Sequence, residues 1–218
     1  MIARRTLLGL TAGALLLGGA SALAASLYID AKALVGQVLL DRAFTQTLET
    51  GAPVKPWSWA DTWPVARVSA PMQGESAIVL AGASGEAMAW GPGHMAGTPH
   101  PGARGMAMIA AHRDTHFAFL EDVTPGDPIT VTNADGTAHH FTVTGTKIVR
   151  WDQSGLDPHT EGQKLALITC YPFDARTQGP LRYVVLVEKT DALQASGPAP
   201  ALASLTSDPV SPEAMRTN

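Results

Sequence analysis

The stretch KLALITCYPFDARTQGPLRYVVLV, residues 164–187, decides the fold of this chain and holds its most reactive side chains. It opens with the apolar run 165–168, which is typical of a buried strand and leads to Cys170. A loop containing Pro and Gly follows, and a second strand begins at Arg182. A thiol at the end of one strand and a guanidinium at the start of the next can meet across a single loop. Because Arg stays charged at physiological pH, it can stabilise an oxyanion formed beside the thiol.

The third reactive group is expected to be a histidine at the end of another strand. Among seven histidines, His112 directly follows the apolar run 106–111, which predicts a strand. His94 and His100 lie in a loop rich in Gly and Pro and are the alternatives for the same role. His112 and His116 are four residues apart, the spacing of a metal-ligand pair on a helix. Since His112 ends a strand and no HExxH pattern is present, we expect no metal and no other cofactor.

Three motifs occur in a recognisable order: IAAHRDTHFAFL, LALITC and PLRYVV. Together with the upstream GPGHMAGTPHPG, they resemble the sortase family of cysteine transpeptidases over about residues 57–188. The form TCYPFDA and the segment WADTWPVAR resemble most the sortases of Gram-negative bacteria, class GN. Two positions depart from the family pattern: Ala111 stands where Gly is usual, and Ala166 stands where Thr is usual.

This resemblance implies a mechanism and a substrate. Cys170 is expected to be the nucleophile that forms a thioester, and His112 the acid and base that serves the departing and incoming amines. Arg182 is expected to bind the oxyanion or the substrate backbone, and Thr169 to face the bound peptide. The implied substrate is an exported protein with an LPXTG-like sorting signal near its C-terminus, cut between Thr and Gly. The implied acceptor is an amine, whose identity no residue specifies.

Composition bounds the remaining possibilities. The 218 residues are 45% hydrophobic, which is enough for one domain with a buried core and extensions. The net charge is −4 and no basic cluster is present, so nucleic acid is not an expected partner. A single cysteine excludes an internal disulfide framework and a Cys-rich zinc site.

The N-terminal segment, residues 1–29, predicts a membrane anchor. Residues 6–29 contain no charged side chain, and as a helix they would span about 36 Å, enough for the hydrocarbon core. Arg4 and Arg5 precede this run, which places the N-terminus in the cytoplasm. The expected location is therefore the inner membrane, single-pass, with the catalytic domain facing the periplasm. The alternative is a cleaved signal peptide, because residues 22–24 read Ala-Leu-Ala.

Three further segments follow the anchor. Residues 30–56 predict a juxtamembrane helical stalk with one apolar face, which Gly51 and Pro53 end. Residues 57–190 form the expected catalytic barrel, and the Ala-, Pro- and Ser-rich residues 191–218 predict a disordered tail. Three tryptophans early in the barrel segment either cover the edge of the core or anchor the domain at the membrane interface. They are Trp57, Trp59 and Trp63.

Short strands with turn signals between them predict an all-β domain, a sandwich or a barrel. The resemblance selects a closed sortase-type barrel of about eight strands with short helices. Asp135-Gly136 indicates a type I′ hairpin turn, residues 91–105 a loop, and residues 117–122 a short helix. The predicted strands are 65–69, 76–81, 87–90, 106–111, 127–133, 137–150, 165–169 and 181–187.

Two other functions remain compatible with the residues. The first is an exported cysteine hydrolase, in which water replaces the amine as acceptor. The second is a non-catalytic β-barrel binding module in which Cys170 is a buried, inert side chain, since Cys packs well as a small hydrophobe. Accessibility of the thiol separates the binding module from the two enzymes, and the identity of the acceptor separates the enzymes from each other.

Overall fold

The computed structural model describes residues 2–190, and in the first helix the side chains are described from Leu15 onward with gaps at 22, 25–27 and 29–30. Two α-helices, one 3₁₀ helix and eight strands make up this part of the chain. The helices are α1 (Ile2–Thr50), α2 (Gly85–Met88) and a 3₁₀ helix (Ala118–Asp122). The strands are β1 (Pro64–Ala70), β2 (Glu75–Ala81), β3 (Gly93–His94), β4 (Gly105–Ala110), β5 (Pro128–Asn133), β6 (Ala138–Arg150), β7 (Gln163–Cys170) and β8 (Leu181–Lys189).

The eight strands close into a barrel in the order β1-β2-β3-β4-β7-β8-β6-β5. The pairs β2–β3 and β4–β7 are parallel, and the remaining pairs are antiparallel. The barrel interior is filled by apolar side chains from all around the sheet, among them Val68, Ile109, Leu167 and Val185. The predicted all-β closed barrel of eight strands is therefore confirmed.

Most predicted strands lie within one or two residues of the observed ones, because their apolar pattern matches their burial. In β1, buried and half-buried residues alternate along the whole strand, as one face against the core requires. In β4 and β7 the apolar run is nearly continuous. These two strands pair in parallel and pack against apolar clusters, which explains the absence of alternation.

The strand predicted at 87–90 is wrong, because this segment contains α2 and a turn. The hydroxyl of Ser84 accepts a bond from the Ala87 N–H at 3.1 Å and caps the helix. The eighth strand is instead β3, which lies inside the predicted loop 91–105. Its two residues are too short to leave a pattern in the sequence.

The β5–β6 hairpin is confirmed, but its turn differs from the predicted two-residue type I′ turn. The Asn133 N–H donates to the Thr137 carbonyl, so three residues form the loop. Gly136 has φ +83° and its N–H donates to the Asn133 carbonyl. A three-residue loop that ends in a left-handed glycine is the next most common hairpin connection.

The C-terminal half of α1 packs on the barrel through part of the predicted apolar face, whereas Leu34, Val35 and Val38 are exposed. Leu40 and Phe44 are buried against Ile78 and Leu80 of β2. The helix ends at Thr50, where the Gly51 N–H donates to the Thr47 carbonyl with φ +69° at Gly51.

The helix α1 approaches the domain closely at Gly36. A Cβ atom there would lie 2.3 Å from a ring carbon of Trp90, so only glycine fits. The neighbouring Gln37 side-chain amide donates to the Trp90 carbonyl at 2.7 Å. Trp57 packs on the same ring at 4.8 Å between centroids, as expected for a residue that covers the core. Trp59, by contrast, is 83% exposed.

Among the described residues, no helix has a stretch long and apolar enough to cross a bilayer, so the transmembrane helix predicted over residues 6–29 was not found. Much of that span falls on residues whose side chains are outside the description. The predicted tail, residues 191–218, lies outside the described residues altogether.

Candidate functional site

The candidate site lies at one end of the barrel, where β4 and β7 stop and β8 begins. Cys170 is the last residue of β7 and pairs directly with Arg182 in the antiparallel ladder of β7 and β8. A ladder of seven residue pairs fixes the register of these two strands, so the strand pairing itself places Cys170 opposite Arg182.

His112 is placed by the parallel pairing of β4 with β7. Ala110 pairs with Ile168, and the Ala111 N–H donates to the Ile168 carbonyl at 3.1 Å, which extends the ladder by one residue. His112 follows immediately, at the same barrel end as Cys170. The three predicted residues thus stand on three adjacent strand ends, and all three line one cleft of about 450 Å³.

Thr169 joins the two parallel strands. It is 2% exposed, and its hydroxyl donates to the Ala111 carbonyl at 2.8 Å. This bond connects Thr169, which precedes Cys170, to Ala111, which precedes His112. The buried hydroxyl therefore helps to hold the two strand ends of the site together. Contact between Thr169 and a bound peptide stays a prediction from the sequence.

Cys170 is half-buried and is one of the residues that line the cleft. The Arg182 side chain is also half-buried, and its Nη1 donates to the carbonyls of Gly179 and Leu181, both at 2.8 Å. Within the described residues these are the hydrogen bonds of the Arg182 side chain, and its Nε and Nη2 make none to the protein. Because a guanidinium has several N–H donors, Arg182 can bind the Gly179 and Leu181 carbonyls and a substrate oxygen at the same time.

Several side chains of the cleft were not assigned a role from the sequence. Arg113 and Arg176 add positive charge, Asp114 adds the opposing negative charge, and Met88 of α2 forms an apolar part of the wall. Arg113 directly follows His112 in the motif AHRD. This position next to a candidate catalytic residue could have indicated that Arg113 belongs to the site. Met88 could not be found, because it reaches the site from the misassigned segment 87–90.

The other histidines are distributed over different parts of the molecule. His116 lies near His112, and burial, together with the charge of His112, lowers its pKa below the usual value. His94 and His100 stack on each other at 5.0 Å between ring centroids, and neither lines the cleft. Burial lowers the pKa of His94, against the opposing effect of its bond to the Pro99 carbonyl. Among the described residues, no group of three or more metal-ligating side chains comes together.

Comparison with known proteins agrees with this geometry. A family model described as a sortase domain matches residues 68–190, more than half of the chain. Sortase D of Bacillus subtilis (strain 168) is 29% identical over 108 residues, which cover 49% of this chain and 54% of that protein. The chain thus spans about half the length of the curated relative that it matches.

Solved structures share the barrel. Sortase A from Corynebacterium diphtheriae superposes with a TM-score of 0.54 at 26% identity, over 61% of this chain and 63% of that one. A Clostridium perfringens sortase D5 transpeptidase gives a TM-score of 0.55 over 72% of this chain and 99% of that one. At 17% identity, the second comparison shows the fold alone.

Proposed function

This chain belongs to the sortase family, and from that premise we propose that it is a cysteine transpeptidase with Cys170 as its nucleophile. The observation that carries the proposal is the pairing of Cys170 with Arg182 across the β7–β8 ladder, with His112 at the end of the adjacent strand. A thiol, an imidazole and a guanidinium on one cleft are the groups that an acyl transfer through a thioester needs.

In the first half-reaction, the Cys170 sulfur attacks the carbonyl carbon of the threonine in a sorting signal. The carbonyl oxygen becomes an oxyanion, to which the free nitrogens of Arg182 donate. When the intermediate collapses, the C–N bond breaks and His112 gives a proton to the departing amine. The products are a thioester on Cys170 and the released C-terminal peptide.

In the second half-reaction, an acceptor amine attacks the thioester carbon while His112 takes its proton. The C–S bond then breaks, Cys170 leaves as thiolate, and a new amide joins donor to acceptor. Water in place of the amine would give plain hydrolysis, the alternative that the same three residues also support. The partial exposure of Cys170 and its position in the lining of the cleft argue against a buried, inert cysteine.

The proposal extends to the substrate and to the location. The donor is an exported protein with an LPXTG-like signal near its C-terminus, cut between Thr and Gly, and the enzyme is of the Gram-negative type, class GN. We place the protein in the inner membrane, single-pass, with the barrel facing the periplasm. Support comes from Arg4 and Arg5 before a charge-free run and from Leu15, Leu16 and Leu17, each about three-quarters exposed.

The test is incubation of the full chain, in detergent, with an LPXTG-like peptide and a small amine, followed by mass analysis of the products. Transpeptidation predicts a product in which the amine is joined to threonine, and hydrolysis predicts only the free threonine acid. Replacing the peptide's Pro by Ala should slow cleavage strongly, because Pro presets the bend of an extended peptide. If no Thr–Gly cleavage occurs while Cys170 is reduced and reactive, the assigned substrate is wrong.

A further inference from the structure

The loop that joins Cys170 to Arg182, residues 171–180, forms one wall of the cleft through Arg176, Thr177 and Gln178. Its two ends are held by their own neighbours. At the start, Tyr171 and Phe173 pack on Tyr183, with ring centroids 6.2 and 5.2 Å from that ring. At the end, Arg182 donates to the Gly179 carbonyl. These contacts do not reach the centre of the loop, residues 175–178.

The side chain of Arg113 contacts this centre. Its Nη2 donates to the Ala175 carbonyl and, at 3.0 Å, to the Thr177 carbonyl. Among the described residues, no other side chain bonds to the centre of this loop, and Arg176, Thr177 and Gln178 are exposed. A loop segment with few contacts is expected to open locally at little cost, so the two Arg113 bonds are expected to limit this opening.

Arg113 itself projects from a rigid base. It follows His112 in a turn that closes when the Phe117 N–H donates to the His112 carbonyl at 3.1 Å. The Phe117 ring is 0% exposed and packs in the barrel core, which anchors the turn. The guanidinium therefore connects a fixed turn beside the histidine to the centre of the loop, where the one other bond is from the Ala175 N–H to the Pro172 carbonyl within the described residues.

We propose that Arg113 is a positioning residue that orders the wall of the peptide-binding cleft and so determines the affinity for the sorting peptide. This inference rests on the proposed function. The strand ladders of β4, β7 and β8 place His112, Cys170 and Arg182 without help from Arg113. Loss of the two Arg113 bonds should therefore weaken peptide binding without changing the rate of the chemical step. The kinetic result is a raised KM with kcat maintained.

The kinetic test compares Arg113→Gln, Arg113→Lys and Arg176→Gln in the full chain, with an LPXTG-like peptide. Arg113→Gln should raise KM about tenfold with kcat within about twofold, because two charge-assisted bonds are lost. Arg113→Lys keeps a charged donor and should recover part of the loss. Arg176→Gln removes the same charge from the same cleft but no bond to the loop, so its effect on KM should be several-fold smaller. Equal effects of the two Gln variants, or a fall in kcat with KM unchanged, would overturn the positioning role.

A second measurement is independent of activity. Trypsin can cut after Arg176 only when the loop opens, and mass analysis identifies cleavage of the Arg176–Thr177 bond. Arg113→Gln should be cut there at least about tenfold faster than the unmodified chain, with nearly the same thermal midpoint, since local opening need not weaken the barrel. Unchanged cleavage would show that Arg113 does not hold the loop. If the unmodified chain turns over no peptide while Cys170 is reduced and reactive, the assigned substrate is wrong, and the tryptic cleavage rates still decide whether Arg113 holds the loop.

Discussion

Cys170 and Arg182 are paired residues of adjacent antiparallel strands, so the backbone ladder itself sets their two side chains on the same face of the sheet. His112 reaches the same barrel end on β4, which runs parallel to β7. The three residues are separated by 58 and 12 positions in the chain, and two strand pairings bring them together. Several measurable consequences depend on this arrangement.

Arg182→Lys should lower turnover by about 10²-fold or more, because a pre-organised oxyanion donor is lost. The guanidinium uses Nη1 to hold the carbonyls of Gly179 and Leu181 while its other nitrogens stay free. A single ammonium cannot serve both sets of oxygens in the same geometry. Steady-state kinetics with an LPXTG-like peptide measures the effect, and the thermal midpoint should hardly change. Activity within twofold of the unmodified chain would exclude Arg182 as an oxyanion donor.

His112→Ala should cost far more activity than His94→Ala, His100→Ala or His116→Ala. Of these four side chains, His112 is the one that lines the cleft with Cys170. Proton transfer by a positioned side chain contributes about 10²–10⁴-fold, which sets the scale of the loss. The single variants should be compared for acyl transfer under identical conditions. Inactivation by a chelator, restored by zinc, would instead favour a metal held by His112 and His116.

Gly36→Ala should destabilise the docking of α1 on the barrel. The new Cβ would lie 2.3 Å from the Trp90 ring, and overpacking of this kind costs about 1–3 kcal/mol. Thermal unfolding of the full chain measures the change. Gly19→Ala is the matched control in the same helix, because a Cβ atom added there would meet nothing within 4 Å. Equal midpoints for the two variants would show that α1 is not docked at Gly36.

Lowering the pH should lower the free energy of unfolding, and His94 is one cause. Burial lowers the pKa of His94 in the folded chain below the ordinary value of about 6.5, so the unfolded chain binds the proton more readily. Its stabilising contribution is therefore complete above about pH 6.5 and is lost as the pH falls below that value. Urea unfolding at a series of pH values between about 7.5 and 5 measures this dependence. His94→Gln should flatten it, whereas the exposed His159→Gln should not, and an unchanged slope in His94→Gln would contradict the assignment.

The barrel could be predicted largely from the sequence, because strand burial leaves a clear apolar pattern. The strands that failed show the limit of that pattern. β3 has two residues, too few for any periodicity, and the segment 87–90 reads as apolar although Ser84 caps a helix there. Conversely, Asp135-Gly136 predicted the hairpin correctly but not its three-residue loop, since turn type depends on the strand register.

The common location of Cys170, His112 and Arg182 was predictable because each lies at or next to a strand end. The site was not predictable where a role depends on contacts distant in the chain. The Thr169 hydroxyl donates to the carbonyl of Ala111, 58 positions earlier in the chain. Arg113 donates to carbonyls of a loop more than 60 positions later. Side-chain bonds to backbone carbonyls leave no mark in composition or periodicity, so only the folded structure reveals them.

The central claim is that Cys170 carries the acyl group, and the intact mass of the full chain tests it most directly. After brief incubation with an LPXTG-like peptide, the unmodified chain should gain the mass of the peptide up to its threonine, and hydroxylamine should remove it as expected for a thioester. Cys170→Ala should keep its fold and gain no mass. An equal adduct on Cys170→Ala, or no adduct on a chain whose Cys170 is still alkylated by iodoacetamide, would contradict the account.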